Sequence, residues 1–109
     1  MNLNTYQKNA RKTASYPHVG KNLSYLTMGL CGESGEVAEK IKKVFRDHDG
    51  KVSAKMRKDV SKELGDTLWY LANLCSELKL DLNEIAKINL EKIRSRVKRN
   101  KVGGSGDNR

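Results

Sequence analysis

Four acidic residues stand in two pairs at helical spacing, and their side chains are the groups in this sequence best suited to chemistry. Glu33 and Glu36 lie in the stretch "GLCGESGEVAEKIKK", and Glu63 and Asp66 lie in "KELGDTLWYLANL". Residues three apart on a helix point the same way, so each pair presents its carboxylates to one side. Carboxylate oxygens are the ligands that hard divalent cations prefer. Four of them brought together would suit Mg²⁺ or Mn²⁺.

The position of Glu33 indicates that its carboxylate has a partner. It lies within an apolar stripe whose members recur at helical spacing: Leu26, Leu30, Val37, Ile41 and Val44. An ionised carboxylate against a core costs several kcal/mol unless a base, a proton or a metal compensates it. The alternative is that both pairs are exposed and bridged to nearby lysines at helical spacing: Lys40, Lys43 or Lys62.

The elements that position these residues are helices. The pattern predicts a short first helix ended by Pro17, followed by helices over residues 22–46, 53–79 and 81–100. The short "DHDG" connection makes the second and third helices antiparallel neighbours, which brings the acidic pairs face to face. We therefore expect an all-α fold, an antiparallel bundle of about four helices in one domain over residues 1–100. A glycine-rich tail follows over residues 101–109.

Length and apolar patterning favour self-association. A chain of 109 residues buries its surface incompletely without a partner chain. The third helix is apolar over much of its circumference, including Trp69, which predicts a homo-oligomer.

Cys31 and Cys75 have no metal-binding companions nearby and are expected to be reduced core residues. No apolar run is long enough to span a bilayer and no signal core is present, so we expect a cytoplasmic protein without a membrane partner.

The net charge of +9 indicates an anionic partner, either a polynucleotide or a small phosphorylated molecule. The basic residues are spread along the chain, and few aromatic residues are available to stack on bases, which makes a nucleic acid the less favoured partner. Two classes of function remain. One is an enzyme acting on a phosphorylated substrate, and the other is a basic helical module that binds nucleic acid or a protein partner without catalysis.

The two acidic motifs, in order and separated by 26 residues, resemble the signature of the MazG-like all-α nucleoside triphosphate pyrophosphohydrolases. The resemblance extends over about Asn22 to Arg96 and includes the words around both motifs. It implies a dimeric or tetrameric helical enzyme that uses Mg²⁺ to cleave a nucleoside triphosphate between its α and β phosphates. It also implies that the four acids are the metal ligands: Glu33, Glu36, Glu63 and Asp66. Glu36 is our choice for a general base.

The fourth helix supplies candidate substrate-binding residues. Asn89 interrupts its predicted buried side, which consists of Leu82, Ala86, Ile93 and Val97, and Lys92 and Arg96 lie along one edge. An amide with neighbouring cations suits a triphosphate. One common family pattern places a lysine and an asparagine four residues apart here, whereas this chain has Asn89 and Ile93. Base recognition is therefore not transferred from the family.

Candidates at three further places complete the predicted site. The "GSGDNR" ending resembles a subgroup of small stand-alone family members, which implies that Asp107 and Arg109 reach a site in the same or a neighbouring subunit; an unstructured end is the alternative. Lys40 and Lys43 are candidates for the β and γ phosphates, and surface lysines are the alternative. Tyr25, Trp69 and Tyr70 could stack on a nucleobase, although packing is the favoured role for each.

Overall fold

A computed structural model describes all residues from 1 to 109 and contains four α-helices and no strand. The helices are α1 (Leu3–Lys12), α2 (Leu23–His48), α3 (Ala54–Glu77) and α4 (Leu82–Lys98). Three of them begin where the sequence predicted a helix to start, and there the side chains of Asn22, Ser53 and Asp81 each accept a hydrogen bond from a backbone N–H of the first turn. The all-α prediction and its four helical segments are confirmed.

Helices α2 and α3 form an antiparallel hairpin that carries both acidic pairs. After α2, Asp49 and Gly50 adopt left-handed backbone conformations, with φ of 53° and 76°, and the chain reverses within a few residues. Leu26 and Val44 of α2 are fully buried and are the ends of the predicted apolar stripe. The stripe is therefore the surface through which α2 contacts the rest of the molecule.

One close contact sets the distance between the two helices. Gly29 faces the ring of Tyr70, and a Cβ atom at position 29 would overlap that ring. The same ring packs edge-on against Trp69, with centroids 5.1 Å apart, so it has little room to move. Gly29 precedes Glu33 by one helical turn. A side chain there would separate the helices next to the acidic residues.

Helix α1 is fixed to the end of α3 by a buried polar network. The side chain of Glu77 is 1% exposed and accepts hydrogen bonds from the Tyr16 hydroxyl and the Gly20 amide, and Arg11 lies 3.5 Å from it. Burial by itself would raise the pKa of Glu77, but these three partners together hold it below its usual value. The network shows that Glu77 is a structural carboxylate.

Helix α4 packs only at its beginning. Leu82 is buried with Ala10, Ala72 and Cys75, whereas Ile93 and Val97 further along are 44% and 63% exposed. The prediction that Ile93 and Val97 belong to a buried side is wrong within a single chain, because α4 extends away from the hairpin instead of lying along it.

The molecule is consequently more open than a compact domain. Its radius of gyration is 16.7 Å, against about 13 Å for a compact chain of this length. Its accessible surface is 8035 Å², against roughly 6100 Å² for a compact monomer of 12.3 kDa. The exposed apolar side chains lie on both the hairpin and α4: Met28, Phe45, Leu64, Ile88, Leu90, Ile93 and Val97.

The cysteines and the tail complete the fold. Cys75 is buried as predicted, but Cys31 is exposed, because it lies on the side of α2 away from α3.

The tail folds back on α4, and the Arg109 guanidinium donates to the carbonyl oxygens of Val102, Gly103 and Gly106. No helix is both long enough and apolar enough to cross a membrane.

Replacing Gly29 by alanine tests whether the close contact sets the helix spacing. We expect Gly29→Ala to lower the free energy of unfolding by about 1–3 kcal/mol, because the added methyl overpacks against Tyr70. Gly35→Ala is the matched control, since a Cβ there meets nothing within 4 Å. The control should be neutral or up to about 1 kcal/mol more stable, because alanine is the better helix former. Urea unfolding followed by circular dichroism measures both, and equal stabilities would contradict the proposed contact.

Candidate metal centre

Three of the four predicted carboxylates converge between α2 and α3. Glu33, Glu63 and Asp66 each offer an oxygen, and these oxygens all lie within 4.8 Å of one another. Glu33 and Glu63 are half-buried, and Asp66 is exposed at the edge. The antiparallel hairpin produces this arrangement, because α2 and α3 run in opposite directions and their acidic pairs lie at the same level. Glu33 therefore meets both members of the second pair. We call these three residues the carboxylate cluster.

The cluster concentrates negative charge on Glu33. Burial, a hydrogen bond to Glu63 and then the charges of Asp66, Glu63 and Glu36 all raise the pKa of Glu33. The surroundings of Glu33 thus disfavour its charged form, and either a proton or a metal ion would relieve that cost.

Glu36 lies outside the cluster. Its side chain is exposed, although its charge is close enough to contribute to the raised pKa of Glu33. The structure therefore brings three predicted ligands together and leaves the fourth at the rim. Its roles as a ligand and as a base stay predictions.

Lys40 contacts the carboxylate cluster from one side. Its ammonium group lies 3.5 Å from the carboxylate of Glu63, with the two side chains 32% and 19% exposed. Bridging of an acid to a lysine therefore occurs at one position, but across the hairpin instead of at helical spacing, because α2 and α3 cross close enough for Lys40 to reach the opposite helix. Lys43 instead lies 3.9 Å from Glu39 on its own helix, and Lys62 forms no ion pair. One of the four acids is bridged to a lysine, and the other three are not.

The donor atoms fit a hard divalent cation. All are carboxylate oxygens from two helices, with no nitrogen or sulfur donor among them. Oxygens on opposite sides of one Mg²⁺ lie about 4.2 Å apart, so the 4.8 Å span of the cluster is close to what one ion requires. Glu33, Glu63 and Asp66 would hold the ion.

An aromatic cluster borders the carboxylates. The rings of Tyr16 and Tyr25 stack with centroids 5.2 Å apart, and Tyr25 and Tyr70 lie 6.3 Å apart. Burial and contact with Tyr25, followed by the charges of Glu33 and Asp66, raise the pKa of Tyr70. The Trp69 indole donates to the Thr13 hydroxyl at 2.8 Å, so α1 covers a side chain that we had assigned to an oligomer interface. These rings pack on one another.

The candidates on α4 and the tail form a second group. The Asp107 carboxylate lies 2.7 Å from Lys92 and 3.3 Å from Arg96, and Arg96 also donates to the Asp107 carbonyl. Hydrogen bonds from Lys92 and Arg96, followed by the positive charges of these two residues, lower the pKa of Asp107. Arg109 closes the tail on itself, and Asn89 is exposed, not on a buried face as we expected. No hydrogen bond or ion pair joins this group to the carboxylate cluster.

Sequence reasoning missed Tyr70 as a neighbour of the acids and Lys40 as a partner of Glu63. The available signal for both was the register of the hairpin. Once Glu33 is placed opposite Asp66, antiparallel pairing puts Gly29 opposite Tyr70 and Lys40 opposite Asp59, which is one helical turn from Glu63. No feature of the sequence indicated that Lys92 and Arg96 pair with Asp107, since this pairing depends on the path of a glycine-rich tail.

The fold and the cluster together define a class: an all-α protein whose central helical hairpin holds carboxylates suited to a hard divalent cation. The chain belongs to the MazG nucleotide pyrophosphohydrolase domain family, whose pattern matches residues 21–100. It is also 46% identical to the "Gene 37 protein" of Mycobacterium phage L5 over 114 aligned positions, which span all of both chains. No solved structure matches the chain.

The raised pKa of Glu33 predicts how metal and proton affect stability. A carboxyl whose pKa is higher in the folded state binds more protons there, so in EDTA the contribution of Glu33 to the unfolding free energy should fall as pH rises above about 4, whereas carboxyls with lowered pKa values, such as Glu77, contribute in the opposite direction. Glu33→Gln should reduce that fall and raise the melting temperature at neutral pH, because it removes the repelling charge. Addition of Mg²⁺ should raise the melting temperature of wild type but not of the variant.

Glu91→Gln is the matched control, because Glu91 is exposed on α4 and forms no ion pair. Scanning calorimetry at several pH values, with EDTA or millimolar Mg²⁺, makes the comparison. A melting temperature that does not respond to Mg²⁺ in wild type would remove the metal assignment.

Proposed function

We propose that this protein is a Mg²⁺-dependent nucleoside triphosphate pyrophosphohydrolase that cleaves a ribo- or deoxyribonucleoside triphosphate between its α and β phosphates. The products are a nucleoside monophosphate and pyrophosphate, and Mn²⁺ is a possible substitute for Mg²⁺. The observation that carries this proposal is the convergence of Glu33, Glu63 and Asp66 to within 4.8 Å. Membership of the MazG family supports the same reaction.

The roles of the residues follow from their positions. Glu33, Glu63 and Asp66 would hold the ion, which when bound would supply positive charge at the α phosphate. Glu36, exposed beside the cluster, takes a proton from the attacking water. The water oxygen bonds to the α phosphorus, the bond from that phosphorus to the bridging oxygen breaks, and pyrophosphate leaves with the bonding electrons. Glu36 then returns its proton to solvent.

The cations contribute by positioning phosphate groups. Lys40 and Lys43 lie along α2 beyond the cluster, where they can contact the β and γ phosphates. Asn89, Lys92 and Arg96 of α4, with Arg109 of the tail, form a second contact region, from which a phosphate group would displace Asp107. Because α4 extends away from the hairpin of its own chain, this region would serve the carboxylate cluster of a neighbouring subunit.

The active form is a homo-oligomer in the cytoplasm, at least a dimer. The accessible surface exceeds that of a compact monomer by roughly 1900 Å². That excess is more than twice the roughly 800 Å² that each partner buries in a protein interface of standard size. Apolar residues exposed on α4 would contribute to it, because Leu90, Ile93 and Val97 recur at helical spacing on one side.

The mass in solution tests the assembly. We expect light scattering after size exclusion to give at least twice the 12.3 kDa of one chain at micromolar concentration. Ile93→Glu should shift the mass toward the monomer, because it places a charge in an apolar contact. Arg94→Glu, at a neighbouring exposed position, is the control and should keep the wild-type mass. A monomeric wild type would contradict the proposed assembly.

The products test the reaction. A panel of nucleoside triphosphates should yield equal amounts of monophosphate and pyrophosphate with Mg²⁺, and none with EDTA. In ¹⁸O-labelled water the label should enter the monophosphate, because attack is at the α phosphorus. Asp66→Asn should lower turnover by a factor of about 10³ or more, and Asn89→Ala by less, because metal ligands stabilise the transition state directly.

Two results would overturn the proposal. Label in pyrophosphate would place the attack at the β phosphorus. Absence of hydrolysis, combined with tight and salt-sensitive binding of DNA or RNA, would favour the basic binding module, since contacts to a phosphate backbone weaken steeply with added salt.

A further inference from the structure

A basic cavity of about 320 Å³ lies where α2 ends and α3 begins. Met56 is its only apolar lining residue. The other six lining residues are polar or charged: Lys40, Lys43 and His48 from α2, and Ser53, Lys55 and Asp59 from the start of α3. Three lysines and one carboxylate leave a surplus of two positive charges, with histidine counted as neutral. We call this space the basic cavity.

The lysines of the basic cavity are only weakly neutralised within the chain. Lys55 forms no ion pair, and Lys43 approaches Glu39 only at 3.9 Å. Lys40 lies 3.5 Å from Glu63, which belongs to the carboxylate cluster. Asp59 pairs with none of the three. An anion entering the cavity would therefore find ammonium groups still available.

The beginning of α3 adds positive potential to the same space. Ser53 caps the helix, its hydroxyl oxygen accepts from the Met56 amide at 3.1 Å, and the first turn contains no acidic residue. The amides of Ala54 and Lys55 precede Arg57, whose amide makes the first backbone hydrogen bond, to the Ser53 carbonyl at 3.0 Å. Free amides and the helix dipole both favour an anion here.

The basic cavity is continuous with the carboxylate cluster. Lys40 belongs to both, since it lines the cavity and contacts Glu63. Asp59, on the cavity wall, precedes Glu63 by four residues, so the two regions are about one helical turn, or 5.4 Å, apart along α3. A chain of linked phosphates could extend from the cluster into the cavity.

We propose that the basic cavity is a diphosphate site, which binds the β and γ phosphates of the substrate and then the pyrophosphate product. The role toward substrate rests on the function proposed above, but binding of inorganic pyrophosphate does not depend on catalysis. Lys43, Lys55 and the first turn of α3 contact the phosphate oxygens. Lys55 and Ser53 enter the site only because the hairpin turn places the start of α3 beside the end of α2.

Calorimetric titration of inorganic pyrophosphate into the whole protein, in EDTA and at low ionic strength, tests this site. Wild type should bind saturably and should bind orthophosphate more weakly. Lys43→Gln and Lys55→Gln should each weaken pyrophosphate binding by about tenfold, the usual effect of losing one charge-assisted hydrogen bond. Lys58→Gln is the matched control, because Lys58 is an exposed lysine of α3 outside the cavity, and it should bind like wild type.

The proposal is overturned if wild type shows no saturable binding, or if Lys43→Gln and Lys55→Gln bind like Lys58→Gln. It is also overturned if a DNA oligonucleotide binds more tightly than pyrophosphate and depends on the same two lysines, because the cavity would then be a backbone-phosphate site. Thermal melts of each variant establish that it is folded.

A kinetic experiment separates this proposal from the proposed function. If nucleotides are hydrolysed, Lys55→Gln should raise the KM and weaken inhibition by pyrophosphate, while kcat changes less. Unchanged KM and inhibition would refute the diphosphate site and leave the pyrophosphohydrolase intact. Lysine-dependent pyrophosphate binding without any hydrolysis would support the site and refute the enzyme.

Discussion

The antiparallel packing of α2 on α3 is the constraint on which the rest of the molecule depends. The hairpin brings like charges together, which opposes folding, and apolar side chains such as Leu26 and Val44 hold it closed. Gly29 permits the close approach by leaving room for the Tyr70 ring. Core packing thus supports a site that is unfavourable by itself, a common feature of functional sites.

The helices and the carboxylates could be predicted from sequence because both depend on local pattern. Asn22, Ser53 and Asp81 are capping residues by their chemistry, and each caps the expected helix. Predicting that Glu33 lies close to Glu63 and Asp66 required only two antiparallel helices joined by a short turn. The position of Glu33 within an apolar stripe was the strongest single signal, since a half-buried acid needs compensation.

Features that depend on the placement of distant segments could not be predicted in this way. The pairing of Glu77 with Arg11 and Tyr16 joins residues more than sixty positions apart, and nothing near Glu77 in sequence distinguishes it from a surface acid. The exposure of Asn89 follows from the direction in which α4 leaves the hairpin. Periodicity predicts which side of a helix is apolar, but not whether the same chain covers it.

The ion pairs of Asp107 with Lys92 and Arg96 affect any anion that binds α4. The Asp107 carboxylate competes with such an anion for the two cations, and its effective concentration is fixed because it belongs to the same chain. A phosphate group approaching these cations must displace a carboxylate that is already bound, so its apparent affinity is reduced by the stability of the closed tail. If α4 binds phosphate groups as proposed, the tail would favour polyphosphates over anions of low charge, without any contact to a nucleobase.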